Sequence, residues 1–287
     1  MRVHITGQIL FFLVLFSIAS VYIPGKGPDA LIVALLSVAT FLFGILGAYI
    51  LQNRQNRLDN LRITLRQFDA LSINMYHMSI ILGKSVQKRI QTLIANYYDS
   101  TIDYMAKDFY MSNRQFIELY RYVVDLQNKK MKEMNQNPVL LYAFDNIMDT
   151  INEADKNRKS IEYLVRDTML RFEWFILLSL YAVIIVCVFE INDNSITSIG
   201  ITILVSTVNI ALIIIIRSLD ELMWKEEKWT WEPLIQVYEE IDLTPYVPEP
   251  CVREGRIVLK KGKKYRVAEY PHHYPNMSGK KVNIVVG

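Results

Sequence analysis

The residue types that most often carry catalysis or metal binding are thinly spread in this chain. The two cysteines, Cys187 and Cys251, predict neither a thiolate metal site nor a disulfide framework. His77 lies in a segment whose apolar residues have the spacing of an amphipathic helix. The residues after it lack the charged neighbour that is expected beside a phosphorylated histidine. His272 and His273 are adjacent, so in a strand they would point to opposite faces. No phosphate loop, HExxH motif or nucleophile elbow occurs, and we predict neither an enzyme nor a bound metal or cofactor.

The elements that must position any site are strongly apolar. Hydrophobic residues make up 52% of the 287-residue chain, and the mean hydropathy is +0.16. The net charge of +3 is small for this length, which argues against nucleic acid as a partner. A helix needs roughly 20 apolar residues to cross a bilayer. The apolar runs predict four spans, at about residues 8–23, 30–51, 172–190 and 196–216.

The first apolar run has a second interpretation. It is short for a span, Arg2 precedes it, and the small residues "SIA" resemble a signal-peptide cleavage site. A cleaved signal peptide therefore stays an alternative to the first span. The topology of the other spans is predicted from other residues.

Basic residues flank the predicted spans on one side. The loops at residues 24–29 and 190–195 hold Lys26 as their single basic residue. By the positive-inside rule, both termini and the segment 52–171 face the cytoplasm. The basic residues on the predicted cytoplasmic side are Arg54, Arg57, Arg62, Arg66, Lys156, Arg158, Lys159, Arg166, Arg171, Arg217, Lys225 and Lys228.

Residues 52–171 predict a long helical region between the second and third spans. Gly83 and Pro138 are the only helix breakers in it, and Pro138 marks a turn and a helix restart. Apolar residues recur three and four positions apart, which is the period of an amphipathic helix. The clearest run is Leu58, Leu61, Leu65, Phe68, Leu71, Met75, Met78 and Leu82.

The composition changes after Ile241. A Pro-rich linker is followed by "GRIVLKKGKKYRVAEY", which alternates apolar and polar residues around a "KKGK" turn and predicts a β-hairpin, with "KKVNIVVG" as a third strand. The predicted domains are a helical membrane domain, 1–241, and a small β-rich tail, 242–287. The predicted fold class is an all-α membrane protein with four transmembrane helices, a cytoplasmic helical region and this C-terminal tail.

The second span has two unlike faces. One is mostly small, and small residues let helices approach closely in lipid, so we expect this face to pack against protein. The other is bulky and apolar, and it either faces lipid or rings a pore as a hydrophobic constriction. The small face holds Val33, Ser37, Thr40, Gly44, Gly47, Ala48 and Leu51; the bulky face holds Leu31, Leu35, Val38, Leu42, Ile45, Leu46 and Tyr49.

The exit of the last span has a distinctive sequence. After Arg217 comes "LDELMWKEEKWTWEPL", in which Trp224, Trp229 and Trp231 suit the depth of lipid headgroups. This stretch resembles the signature after the last span of bacterial bestrophin-like proteins, a domain family of unknown function related to bestrophin anion channels.

The resemblance rests on the two ends of this motif. Leu219-Asp220 and Pro233-Leu234 match the family pattern, whereas Leu222 and Lys225 stand where the family usually has proline and glycine. The wider layout of spans and helices fits the family over about residues 30–241.

The resemblance implies a homo-oligomer, pentameric in the bestrophins, with a pore lined by the second span. Inorganic anions such as chloride would move through it passively. Carried onto this chain, the constriction would use Leu42, Ile45 and Tyr49, and Arg54 and Arg57 would attract anions near the cytoplasmic end of that helix. The alternative is a membrane-anchored helical scaffold or interaction protein without transport activity. In either case membrane lipid is the expected surrounding partner.

Overall fold

The structure is a computed structural model of the chain. It describes residues 2–104, 113–222, 228–255, 257–272 and 278–287. In chain order the helices are α1 (Arg2–Tyr22), α2 (Ala30–Ser79), α3 (Lys84–Tyr104), α4 (Asn113–Gln136), α5 (Pro138–Arg166), α6 (Arg171–Ile191), α7 (Ile196–Asp220), α8 (Lys228–Glu240) and α9 (Glu249–Arg253). The strands are β1 (Tyr246–Pro248), β2 (Lys264–Glu269) and β3 (Lys281–Val286).

Two compact units make up the chain. The first, which we call the membrane unit, comprises residues 1–59 and 167–224. The second unit comprises residues 60–166 and 225–287. Within the described residues, four helices are long and apolar enough to cross a membrane, and they include α1, α2 and α7. A mostly helical chain with four such helices is therefore confirmed, while the boundary between residues 241 and 242 and the side of the membrane stay predictions.

The core of the membrane unit is formed by α2, α6 and α7. A methyl group added at Gly47 of α2 would lie 3.0 Å from Cδ2 of Leu212 on α7, so the side chain of Leu212 packs directly against this glycine. In lipid the hydrophobic effect does not drive helices together, and such close side-chain packing supplies much of the association. The buried core residues are Ala39, Phe43, Ile50, Met169, Leu177, Ile184, Val188, Ile213 and Ile216.

The loop after α1 is bonded to the C-terminal end of α6. The N–H of Gly25 donates to the carbonyl of Asn192 at 2.9 Å, and the N–H of Lys26 donates to that of Glu190 at 2.9 Å. The amide of Asn192, fully buried, donates to the carbonyl of Ser20 at 2.7 Å. The backbones approach so closely that a Cβ at Gly25 would overlap the carbonyls of Phe189 and Glu190. This loop therefore requires glycine for steric reasons.

Replacing Gly25 by alanine should lower the free energy of unfolding by about 3 kcal/mol, at the upper end for forced overpacking, because the backbone must move to admit the methyl group. Thermal unfolding of the purified protein in detergent measures the change. Gly200 is the matched control, because it lies exposed in α7 and a Cβ there meets nothing within 4 Å. Gly200→Ala should be neutral or stabilising, since alanine favours helix. Equal effects of the two substitutions would contradict the steric argument.

The helices of the second unit follow the predicted amphipathic period. Leu61, Phe68, Met75 and Leu82 of this unit are buried, and so is Leu58 just before it, as the spacing of apolar residues predicted. The predicted restart is also confirmed, because α4 ends at Gln136 and α5 begins at Pro138. The side-chain oxygen of Asn137 accepts the N–H of Val139 at 3.0 Å, which caps the new helix.

A small sheet follows α8, and the prediction of a small C-terminal sheet is confirmed. Its order is β1-β2-β3, with β1 parallel and β3 antiparallel to β2. The register pairs Tyr246 with Arg266 on one side of β2 and Ile284 with Arg266 on the other. Tyr246, Val247 and Tyr265 are buried, so the Pro-rich segment after Ile241 is part of a folded layer.

The predicted hairpin around "KKGK" is wrong in its first arm. A turn does occur there, with Gly262 at φ +79, but residues 257–260 are not a strand. The two edges of β2 are already occupied by β1 and β3, which leaves no edge for that segment to join. The antiparallel partner of β2 is instead the predicted third strand.

Candidate functional site

The bulky face of α2 is exposed at the predicted constriction. Leu42, Ile45 and Tyr49 have exposed fractions of 47%, 55% and 62%, whereas Phe43 and Ile50 are 2% exposed. Residues three and four apart lie on one side of a helix, so the three exposed side chains form one stripe opposite the core. The structure therefore brings the predicted constriction residues together on the outer surface of this chain.

The small face of α2 is mostly uncovered within this chain, and its expected packing against protein stays a prediction. Ser37, Thr40, Gly44 and Ala48 are exposed, and a Cβ added at Gly44 would meet nothing within 4 Å. The buried face contains large residues such as Phe43, which fill the space toward α6 and α7. At Gly47, by contrast, the side chain of Leu212 on α7 occupies the space that a larger residue would need.

Arg54 and Arg57 are not free cations at the end of the predicted span. Nη1 of Arg54 lies 3.3 Å from Oδ1 of Asp220 and 3.4 Å from Oδ2 of Asp167. Nη1 of Arg57 donates to the backbone carbonyl of Asp220 at 2.9 Å, and its Nε lies 4.0 Å from Oδ2 of Asp167. Two positive and two negative groups thus form a compact cluster, which we call the buried charge cluster.

The buried charge cluster is held by three elements of the membrane unit. Arg54 and Arg57 are three residues apart on α2, Asp220 is the last residue of α7, and Asp167 lies in the segment between α5 and α6. The side chains of Arg54, Arg57 and Asp220 are 11%, 3% and 9% exposed. Oδ1 of Asp220 also accepts the N–H of Met169 at 2.8 Å, so this carboxylate fixes the approach to α6.

The two ends of the family motif lie in different units. Leu219 and Asp220 end α7 in the membrane unit, and Leu219 is buried. Pro233 and Leu234 lie inside α8 in the second unit, and both are buried. The interfacial role predicted for Trp224 and Trp229 cannot be described, because residue 224 and the side chain of residue 229 lie outside the described residues.

Pro233 also lines a cavity of the second unit. The cavity has a volume of about 440 Å³ and is bordered by Asp69 and His77 of α2 and by Pro233 and Val237 of α8. His77 is exposed. Among the described residues, no cluster of histidine, cysteine, aspartate and glutamate has the arrangement of a metal site.

A second set of charged residues was not found from the sequence. Asp99 lies on α3, and its carboxylate accepts hydrogen bonds from both Nη atoms of Arg266 on β2, at 2.9 and 3.0 Å. The hydroxyl of Tyr238 donates to Oδ1 of Asp99 at 2.5 Å. The guanidinium lies 5.3 Å from the ring centre of Tyr238 and 5.4 Å from that of Tyr246. Burial raises the pKa of Asp99 above its usual value, although Arg266 and Tyr238 act to lower it.

One turn further along α3, Asp103 makes the same kind of connection. Its carboxylate accepts the hydroxyls of Tyr246 and Tyr270 at 2.5 and 2.6 Å, and Nζ of Lys280 lies 2.6 Å away. The pKa of both tyrosines is raised, first by burial and then by the neighbouring phenol or carboxylate. The one signal in the sequence is the four-residue spacing of the two acids on α3, which places them on one face.

Comparison with known proteins gives one match. The family model of the bestrophin-like domain matches residues 9–222, which is well over half of the chain. No curated protein and no solved structure matches this chain. The matched region runs from within α1 to just past the end of α7 and so covers most of the first apolar helix, the other three, and the buried charge cluster. This chain is therefore a membrane protein that belongs to the bestrophin-like family.

Proposed function

We propose that the chain assembles into a homo-oligomer that conducts anions such as chloride passively, with α2 lining the pore. The observation that carries the proposal is the exposed stripe of Leu42, Ile45 and Tyr49 on a helix whose opposite face is buried in the core. In a ring of subunits, such a stripe would form a narrow apolar neck. A neck of this kind gates by excluding water, because an ion cannot cross a dry segment without losing its hydration.

The buried charge cluster has a positioning role in this proposal. Asp167 and Asp220 offset the charge of Arg54 and Arg57, so little net potential is left to attract an anion. Its hydrogen bonds instead join the end of the α2 span to the end of α7 and to Met169 before α6. We therefore assign Arg54 and Arg57 to holding the pore helix in place.

The proposed membrane is a bacterial-type plasma membrane, with both termini on the cytoplasmic side. The support is the distribution of lysine and arginine: apart from Lys26, these residues flank the apolar helices on one side. Attachment of a membrane-impermeant label to cysteines placed in the loops 24–29 and 190–195 of intact cells tests this orientation. Labelling of either loop from outside agrees with it, and labelling only after lysis contradicts it.

Replacing Leu42 by alanine should raise chloride flux severalfold, because a wider and less apolar neck is easier to wet. The measurement is chloride efflux from liposomes that contain the purified protein. Val186 on α6 is the matched control, since it is an exposed apolar residue of another span, at 67%. Val186→Ala should leave the flux unchanged. Flux no greater than in protein-free liposomes, with correctly folded protein, would contradict the channel.

A membrane-anchored scaffold without transport is the second candidate function. It is favoured by one observation: Phe11, Val186 and Leu204 on other spans are exposed to 63%, 67% and 64%, so exposure of Leu42 is also what lipid contact would give. The oligomeric state in detergent separates the two functions. A monomer by mass measurement would leave no ring of subunits for a central pore and would favour the scaffold.

A further inference from the structure

The C-terminal sheet and the segment that leads into β2 together present exposed aliphatic side chains and lysines. Val258, Ile284 and Val286 have exposed fractions of 80%, 70% and 60%. Lys260, Lys261 and Lys264 beside them are exposed as well. We call these six residues the basic aliphatic edge.

The exposed aliphatic residues follow from the position of β3. All six residues of β3 are exposed, whereas Tyr265, Val267 and Ala268 of the neighbouring β2 are buried. Among the described residues, β3 pairs with β2 on one side, and its other side forms an edge of the sheet. Edge strands with exposed aliphatic side chains associate readily, so proteins that keep one usually present it to a partner.

The lysines are brought to this edge by the turn before β2. The N–H of Gly262 donates to the carbonyl of Gly287 at 2.8 Å, and the N–H of Gly287 donates to that of Lys263 at 2.9 Å. Lys264 pairs with Val286 in the register of the sheet. The turn therefore lies against the end of β3, and basic and aliphatic groups share one surface.

The segment that carries the lysines contains basic residues and no acidic ones. Residues 257–268 contain four lysines and Arg266 and no acidic residue. Arg266 forms an ion pair with Asp99, and Lys263 forms one with Glu239. Both ion pairs lie within the second unit. Lys260, Lys261 and Lys264 remain as exposed cations next to the aliphatic residues.

We propose that the basic aliphatic edge docks on the surface of an anionic phospholipid bilayer. Lysines next to exposed aliphatic side chains match both layers of such a surface, the negative headgroups and the first methylenes beneath them. The side chains of the edge are aliphatic, whereas single-stranded nucleic acids are held mainly by aromatic stacking. The spans already keep the chain at the bilayer, so a weak contact suffices because its effective concentration is high. This docking does not depend on ion permeation.

The test uses the full-length protein in nanodiscs and a fluorophore that reports the polarity around it. Cys187 and Cys251 are both buried, so a cysteine at Val258 is selectively labelled in the folded protein. In discs of phosphatidylcholine with one quarter phosphatidylglycerol, the label should emit at shorter wavelength, and phospholipids with spin-labelled acyl chains should quench it. In discs of phosphatidylcholine alone, neither effect should occur. The same label at Ser160, an exposed residue of α5, should respond in neither disc.

The lysines give the decisive variants. The triple variant Lys260→Gln, Lys261→Gln and Lys264→Gln should lower the ratio of docked to free edge roughly 100-fold and abolish the response in anionic discs. The matched control replaces the same number of exposed lysines on α3, α4 and α5, namely Lys88→Gln, Lys129→Gln and Lys156→Gln, and should keep it. Unchanged thermal unfolding shows that each triple variant is folded.

Four outcomes would overturn the proposal. The emission of the label could show no shift in anionic discs. It could also shift equally in discs of phosphatidylcholine alone. A shift of the emission without quenching by spin-labelled lipid would assign the edge to a second copy of the chain. A shift that appears only after RNA is added would assign it to nucleic acid.

Discussion

Replacing Asp220 by alanine should lower the free energy of unfolding by about 3–5 kcal/mol, the usual effect of removing one partner from a buried ion pair. The carboxylate of Asp220 accepts the N–H of Met169 and pairs with Arg54, whereas Arg57 donates to the backbone carbonyl, which alanine keeps. Its loss leaves Arg54 and Arg57 with Asp167 as the one remaining carboxylate of the buried charge cluster. Because both guanidiniums are buried, water cannot compensate. Unfolding of the purified protein in detergent by heat or denaturant measures the loss.

Two controls separate this effect from a general effect of removing acids at the end of α7. Glu221 is the next residue along the chain and pairs with Arg217 on the surface, at 2.8 Å. Glu221→Gln should change the stability by less than about 1 kcal/mol, since exposed pairs contribute little. Asp220→Asn keeps an acceptor for the N–H of Met169. Its loss of stability should lie between those of Asp220→Ala and Glu221→Gln. A loss in Asp220→Ala no larger than in Glu221→Gln would show that the cluster does not hold the helices together.

The apolar helices were predictable because their cause is local. Each span is a run of side chains that cannot be solvated by water, and a run of that length has one stable conformation in lipid. The periodic residues from Leu58 to Leu82 were predictable for the same reason, since a helix of fixed period must bury one face. The sequence also predicted that Leu42, Ile45 and Tyr49 share one face of α2. What surrounds this exposed stripe depends on neighbouring molecules, which the sequence of one chain does not specify.

The charged contacts were not predictable, because their partners are far apart in sequence. Arg54 meets Asp167 and Asp220 only once three helices have packed. The positive-inside rule predicts on which side of the membrane the arginines at the ends of spans lie, but it does not say whether a given arginine is paired. The family motif contains Asp220, and its structure gives this aspartate a physical role: it joins α7 to α2 and to the start of α6.

The pairing of the sheet shows another limit. Alternation of apolar and polar residues identifies a strand but not its neighbour. The short β1 pairs with β2 in parallel, and the proline-rich sequence around Tyr246 gave no alternating pattern to indicate it. Once β1 and β3 flank β2, the segment at residues 257–260 has no place in the ladder.

Replacing Arg266 by alanine should destabilise the second unit by about 2–3 kcal/mol at neutral pH. This is below the range for fully buried pairs, because the side chains of Arg266 and Asp99 are 27% and 21% exposed. The substitution removes both bonds to Asp99, the bond from Nε to the carbonyl of Thr244 at 3.0 Å, and the cover over the rings of Tyr238 and Tyr246. Unfolding curves in detergent, followed by tyrosine or tryptophan fluorescence, measure it.

The pH dependence of the Arg266→Ala variant provides the sharper test. Burial raises the pKa of Asp99 in the folded state, so between its ordinary value and the raised one the folded protein binds more protons than the unfolded chain. Stability therefore falls as pH rises through that window.

Without Arg266 the pKa of Asp99 should rise further, because burial is then opposed mainly by the hydroxyl of Tyr238. The loss of stability in the variant should thus be smallest at acidic pH, toward the ordinary pKa of an aspartate, and should grow as the pH rises through the raised pKa of Asp99. Adding Asp99→Asn should remove this pH dependence and recover part of the stability, since no unpaired carboxylate remains. A loss that is the same at every pH in the single variant would mean that Arg266 acts through packing on the two tyrosines and not through the charge of Asp99.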